Sequence, residues 1–147
     1  LPVKSENDKY SYLRNGHAHC LLCGTQNPIG LRLDFSAQED GHVLSSFTGS
    51  RLLQGYNGVL HGGVISSLLD AAMTHCLFHR GIEAVTVELL VRYLRPVPID
   101  APLELGACIT AELPLLYRLR AELKHADQVM AYARAKFARR SLVSTLP

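Results

Sequence analysis

A chain of 147 residues, 48% apolar and 19% charged, has the size and balance of one globular domain and not of a disordered tract. At ~150 residues, folding buries roughly 70% of the unfolded surface, enough for one substantial core. Fifteen Lys and Arg against thirteen Asp and Glu leave a net charge of +2, with no basic block denser than Arg139-Arg140, which argues against nucleic acid as a partner.

The first nine residues, Leu1 to Lys9, mix charge with polarity and hold no apolar core of a signal peptide. A cytoplasmic location is expected. Residues 1–19 read as a polar lead-in and residues 20–147 as the folded domain. The lead-in runs into His17-Ala18-His19-Cys20, and a loop rich in turn residues follows over 23–30. Leu31, Leu33 and Phe35 alternate with Arg32 and Asp34, which predicts a half-buried strand; Gly41 turns the chain into a second short strand, Val43 to Thr48. The loop Gln54-Gly55-Tyr56-Asn57-Gly58 leads into a predicted helix from about Gly62 to His79.

Everything after Gly81 reads as strand. Val85, Val87, Leu89, Val91 and Tyr93 share one predicted face of a long strand that Pro96 and Pro98 end. The same period of two recurs over Leu103–Ile109, Leu115–Leu123 and Val129–Phe137, with a hairpin turn at His125-Ala126-Asp127. The alanine-rich last segment suits a helix by propensity, but its alternation favours strand. The order is strand, strand, helix, four strands: an α+β fold with an antiparallel sheet and one central helix. The stretch from Val59 to Phe78 includes His61, Asp70 and His75, too polar for the ~20 apolar residues of a membrane span.

Two features of the helix carry chemistry. Between Gly62 and Phe78 the only Asp, Glu, Lys or Arg is Asp70, while apolar residues cover most of the circumference, so the helix is expected to be buried. A buried carboxylate raises its pKa, which is how a general base is poised. The bland alternative is that Asp70 points to solvent or pairs with an arginine such as Arg92. At the helix start, His61-Gly62-Gly63 places two residues without side chains where amides lack intrahelical partners. A ligand anion or developing oxyanion can approach such amides closely, although the pair equally permits a tight entry turn.

The stretch from Gln54 to Gly63, then Leu69-Asp70, Val85-Thr86-Val87 and Tyr93-Leu94-Arg95-Pro96, resembles the hotdog-fold acyl-CoA thioesterase superfamily, in particular the phenylacetate-pathway type. Cys20-Leu21-Leu22-Cys23-Gly24 with Asn27-Pro28-Ile29-Gly30-Leu31 is similar to the opening of many members. The resemblance implies an antiparallel sheet wrapped around one central helix, and hydrolysis of acyl-CoA thioesters to free acid and coenzyme A without a cofactor. It implies Gly62 as oxyanion amide, Asp70 as general base or nucleophile, Thr86 as water-holding hydroxyl, and His61 as orienting group. Gly63 and Thr74 fall on substrate-contacting positions. Where several relatives carry an Asn or Gln six residues before the motif histidine, this chain has Gly55, with Gln54 and Asn57 as stand-ins. Arg95 is one of several basic candidates for the CoA phosphates, with Arg92, Arg134, Lys136 and Arg139.

Gly62 and Asp70 lie eight residues apart, ~12 Å along a helix at ~1.5 Å per residue, too far to serve one thioester. Two antiparallel copies would bring Gly62 of one near Asp70 of the other, so a homodimer or a dimer of dimers is expected. Alternatives on the same fold are a non-catalytic acyl-CoA binder and a dehydratase or hydratase. Cys20 and Cys23 invite a zinc reading that His17 and His19 could complete. Because no second cysteine pair follows at suitable spacing, reduced cysteines packing a loop, and no metal, are expected.

Overall fold

The computed structural model describes residues 5–143; residues 1–4 and 144–147, at the two ends of the predicted lead-in and domain, lie outside the described residues. The elements are α1 (Glu6–Asn15), β1 (Ser36–Ala37), β2 (Val43–Thr48), α2 (Gly62–His79), β3 (Ala84–Tyr93), β4 (Pro102–Leu113), β5 (Leu116–His125), β6 (Gln128–Arg139) and α3 (Arg140–Val143), with a short 3-10 turn over Arg51–Leu53. The strands form one antiparallel sheet in the order β1-β2-β4-β5-β6-β3. Helix α2 packs on its concave face, in contact with β2 through β6. This is the hotdog arrangement.

Helix α2 follows its predicted limits because its residues suit burial on nearly every side. Ile65, Leu68, Leu69, Ala72, Met73, Cys76 and Leu77 are all in the core. The sheet supplies the other half through period-two positions, among them Leu105, Leu119, Leu123, Ala131, Ala133, Ala135 and Phe137. The alanines on β6 let the helix lie close to the sheet. At the β5–β6 turn Ala126 and Asp127 both take positive φ, 48° and 63°, the two-residue hairpin geometry whose twist matches that of the strands. Among the described residues, no helix is long and apolar enough to cross a membrane.

Three departures from the sequence reading matter for the site. First, residues 31–35 are not a strand, although Leu33 and Phe35 are buried as the alternation required. Arg32 has φ 54°, which breaks the pleat, and the Leu31 and Leu33 amides bond to the carbonyls of Leu21 and Leu22, both at 2.9 Å. The segment is thereby tied to the cysteine loop, and pairing with β2 is left to Ser36 and Ala37.

Second, the polar lead-in contains α1. Ser5 and Asp8 form a reciprocal capping box, and Tyr10 stacks on His79 of α2 with ring centroids 3.7 Å apart.

Third, the predicted common face of β3 is interrupted. A bulge between Thr86 and Glu88 makes Val87 an extra residue: Thr86 pairs with Phe137, and Leu89 with Ala135. Cross-strand partners share a face, so Thr86, in place of Val85, joins Leu89, Val91 and Tyr93 on the side towards α2. One inserted residue thus turns a hydroxyl towards the helix.

Candidate active site

The first turn of α2 has its amides assigned one by one. His61 is the N-cap, its Nδ1 accepting from the Gly63 amide at 2.9 Å, while its carbonyl accepts from Val64 and Ile65 at 3.0 and 3.1 Å. The Gly62 amide has no partner among the described residues. It is therefore a free donor at the positive end of an 18-residue helix, the property an oxyanion site needs. Because Nδ1 accepts, the ring proton of the neutral imidazole sits on Nε2. The ring thus caps the first turn through Gly63 and leaves the Gly62 amide uncovered.

Tyr93, at the far end of β3, closes this end of the site. Its hydroxyl donates to the Gly62 carbonyl at 3.0 Å and lies 2.5 Å from Ser66 Oγ. Sequence reasoning used Tyr93 only as part of a motif. Its role here depends on the strand face, which the bulge sets.

Asp70 sits two turns further along. Its Oδ1 accepts from Thr86 Oγ1 at 2.6 Å, and among the described residues no cation pairs with it. Arg92 is exposed and is not its partner. Burial pushes the Asp70 carboxyl up from its ordinary range, partly offset by the Thr86 hydrogen bond, which favours the ionised form. Asp70 is thus half-buried, its carboxylate bonded to Thr86 and not to Arg92.

Gly63, Ser67, Asp70 and Thr74 follow at spacings of four, three and four, so they share one face of α2. Two cavities open along that face. The larger, about 770 Å³, is an apolar cleft walled by Leu21, Leu22, Ile29, Leu31, Leu52, Leu53 and Val64, with His61, Gly63 and Ser67 at its polar edge. The smaller, about 160 Å³, holds Asp70 with Ser67, Thr74, His75, His17, Cys20, Leu22 and Cys23. Ser67 and Leu22 line both. Met73 and Leu77 line neither cavity and lie in the core, and Tyr56 is exposed in its loop.

The remaining predicted contacts are more distant from this chemistry. Thr74 Oγ1 donates to the Asp70 backbone carbonyl at 3.0 Å and not to the carboxylate. Gln54 closes its own loop, Oε1 accepting from the Gly58 amide at 3.2 Å. Asn57 is exposed in that turn and lines neither cavity. Arg95 follows Tyr93 with its guanidinium facing the Gln128 side chain. Among the other basic candidates, Lys136 is engaged by Glu88 at 3.0 Å and Arg139 by the Tyr117 hydroxyl at 2.5 Å.

The cysteine loop lies against this site. His17, Cys20 and Cys23 present ligand-type atoms within 4.8 Å of one another, whereas His19 is exposed and outside the group. Burial pushes the Cys23 thiol up to about 12, so it is no thiolate nucleophile at neutral pH.

The sequence profile of the Thioesterase superfamily matches residues 57–111, the stretch that contains the free Gly62 amide, Asp70 and Thr86. A solved thioesterase superfamily protein, RHA08564, superposes with a TM-score of 0.79 at 26% identity over 94% of this chain and 72% of that one. Over residues 57–111 the chain is similar to the thioesterase superfamily. It is 32% identical over 87 residues to the acyl-coenzyme A thioesterase THEM4 of Bos taurus, a match covering 58% of this chain and 35% of the bovine protein. The chain thus spans about a third of that relative's length. The PaaI protein of the E. coli phenylacetic acid degradation operon shares the fold, with a TM-score of 0.73 at 21% identity over 91% of this chain and 95% of its own.

Proposed function

We propose that the protein hydrolyses acyl-CoA thioesters at a site shared between two copies of the chain. The observation that carries this reading is the pairing, on one helix face, of a free oxyanion-type amide at Gly62 with a desolvated carboxylate at Asp70. Such a pair suits addition of water to a carbonyl and collapse to a thiolate. Asp70 takes a proton from water, the hydroxide adds to the acyl carbon, and the Gly62 amide holds the resulting oxyanion. The C–S bond then breaks, and the proton passes to the CoA thiolate. Thr86 holds the carboxylate on its ionised side and is placed to steady the water.

The two groups are ~12 Å apart along the helix at ~1.5 Å per residue, which no single thioester spans. Strand β3 supports the two-copy solution. Among the described residues it is a sheet edge, bonded only to β6, and it exposes Val87 (52%), Leu90 (50%) and Tyr93 (52%). Its Thr86 end is joined to Asp70 and its Tyr93 end to Gly62. An antiparallel copy of β3 beside it would set the partner's Gly62 end against this chain's Asp70 end, twice by symmetry. The acyl group would occupy the 770 Å³ cleft, and Arg92 and Arg95, beside Tyr93 in sequence, are the candidate cations for the CoA phosphates. Location in the cytoplasm and a dimer of dimers belong to the same reading.

The test is Asp70→Asn, assayed by thiol release across CoA esters of varied length and aromaticity. Asn keeps the shape and still accepts from Thr86, but it takes no proton from water. Loss of general-base help is worth ~10²–10⁴-fold, so kcat should fall by about that factor with the Michaelis constant moving less. A folded variant that turns over within about threefold of wild type, far short of that range, would withdraw the assignment. Wild-type protein that binds acyl-CoA and releases no thiol from any ester would make it a binder.

A further inference from the structure

The thioester reading gives Cys20 and Cys23 themselves no role, yet their loop is closely organised. Its Leu22 amide points at Cys20 Sγ (3.4 Å), the Gly24 amide bonds to the Cys20 carbonyl (2.9 Å), and the Cys20 amide bonds to the His17 carbonyl (2.9 Å). A Cβ at Gly24 would stand 2.5–2.6 Å from backbone atoms of Cys20 and Ala18, so only glycine lets the chain close there. His17 is held edge-on against Phe78 with centroids 4.8 Å apart, and its Nδ1 lies 3.9 Å from Cys23 Sγ. Metal–sulfur and metal–nitrogen bonds of ~2.3 and ~2.1 Å place the two atoms about 3.6 Å apart on a zinc tetrahedron. The loop stands within a few tenths of an ångström of that edge.

The donor set of one imidazole and two thiols selects a soft or borderline cation over calcium or magnesium. An N–H aimed at a sulfur is the outer support that a metal-bound thiolate uses for its charge. A separate observation comes from α2. His75 is 1% exposed and lines the same 160 Å³ cavity as the three ligands. Its Nδ1 pairs with the Tyr10 hydroxyl at 3.1 Å, while its Nε2 has no partner among the described residues. A buried polar atom without a partner marks a place for a missing one. A water on a metal would supply it.

We propose that His17, Cys20 and Cys23 form a zinc(II) site, with the fourth position taken by a water in the cavity shared with His75. The metal clamps the loop whose Leu21 and Leu22 wall the apolar cleft, and whose carbonyls hold the 31–33 segment. By its place in the loop the metal fixes the shape of the cleft. The proposal departs from the expectation of packing cysteines without a metal, which rested on the lack of a second cysteine pair; here the third protein ligand is a histidine from the lead-in.

The experiment uses the full chain, purified with zinc(II) and without chelator, and separately loaded with cobalt(II). One zinc per chain is expected by metal analysis. The cobalt form should show sulfur-to-metal charge-transfer bands and the intense visible bands of tetrahedral coordination. Chelation should lower the melting temperature, and added zinc should restore it. Cys20→Ser, Cys23→Ser and His17→Ala should each lose the metal, while Cys108→Ser and His19→Ala should keep it. Sub-stoichiometric zinc together with no charge-transfer band in wild-type protein would overturn the proposal, and so would ligation that survives Cys20→Ser. If the cysteine variants fail to fold, the wild-type cobalt spectrum decides alone. Neither outcome depends on esterase activity, so a failure here is separable from failure of the thioesterase reading.

Discussion

Replacing Gly62 by Pro removes one N–H and should leave the fold intact. Gly62 is the first residue of α2, where proline is favoured because that amide has no intrahelical partner. The preceding His61 has φ −62° and ψ 134°, already in the extended region that a residue before proline needs. A Cβ at Gly62 would meet the Tyr93 ring at 3.5–3.6 Å, ordinary contact. Proline at a compatible position reduces the freedom of the unfolded chain by ~0.4–1 kcal/mol. At ~2–4 °C per kcal/mol for a domain of this size, the melting temperature should rise by ~1–4 °C. Loss of one oxyanion donor costs ~10²–10³ in kcat, or ~2.7–4 kcal/mol of transition-state stabilisation. The expected variant is therefore slightly more stable and at least about a hundredfold slower by thiol release. Gly62→Ala, which keeps the amide, is the control for the added carbons and should retain most of the activity. A Gly62→Pro protein that melts as expected and still turns over within about threefold, well under the oxyanion range, would refute the role of this amide.

Thr86→Val removes the hydrogen bond that favours ionised Asp70, worth ~1.5–3 kcal/mol for a charged acceptor. At 1.36 kcal/mol per unit, the acid limb of kcat/KM should move ~1–2 units to higher pH, whereas Thr86→Ser should leave it in place. An unmoved limb in a folded Thr86→Val protein would remove Asp70 from the role of titrating base. The raised folded-state pKa of Asp70 also fixes a sign for stability: its contribution is favourable below the ordinary carboxylate range and is lost as pH rises through the folded value. Asp70→Asn should therefore melt higher than wild type at neutral pH, with the difference fading in acid; a lower melting temperature at neutral pH would mean that the Thr86–Asp70 pair is a net stabiliser. Leu90→Arg on the open edge of β3 should give a folded monomer without activity, read by light scattering and thiol release, and an active monomer would end the composite-site argument.

Most of the architecture was legible because it is encoded in periods. Helix α2 shows itself by being apolar around nearly its whole circumference, and β4 to β6 by strict alternation. What was not legible depends on register. No pattern along β3 reveals that Val87 is an extra residue, because a bulge is defined against the partner strand β6. The consequence is local and chemical: Thr86 was singled out by resemblance, while its turn towards Asp70 and the reach of Tyr93 to Gly62 follow from the bulge. The helix α1 left a capping signal at Ser5 and Asp8, but with Tyr10 and Leu13 as its chief apolar residues it had too little of a stripe to read. The strand expected at 31–35 failed for the reverse reason. Its alternation was real and reported burial, but the Arg32 backbone and the carbonyls of Leu21 and Leu22 took the hydrogen bonds that a strand would have used.

The same helix that organises the core also sets the limits of the chemistry. A carboxylate in the middle of α2 is desolvated by the packing that makes the helix stable, and a free amide exists only at its first turn. Helix geometry then keeps the two ~12 Å apart at ~1.5 Å per residue, whatever side chains surround them. A single copy cannot shorten that distance without unwinding its core. Two-fold pairing along β3 removes the problem without new machinery, since the strand already holds Asp70 at one end and Gly62 at the other. On the two-copy proposal, the exposed apolar residues on β3 are the surface such a pairing requires. In that proposal each half of the site is built by folding, and the whole by association.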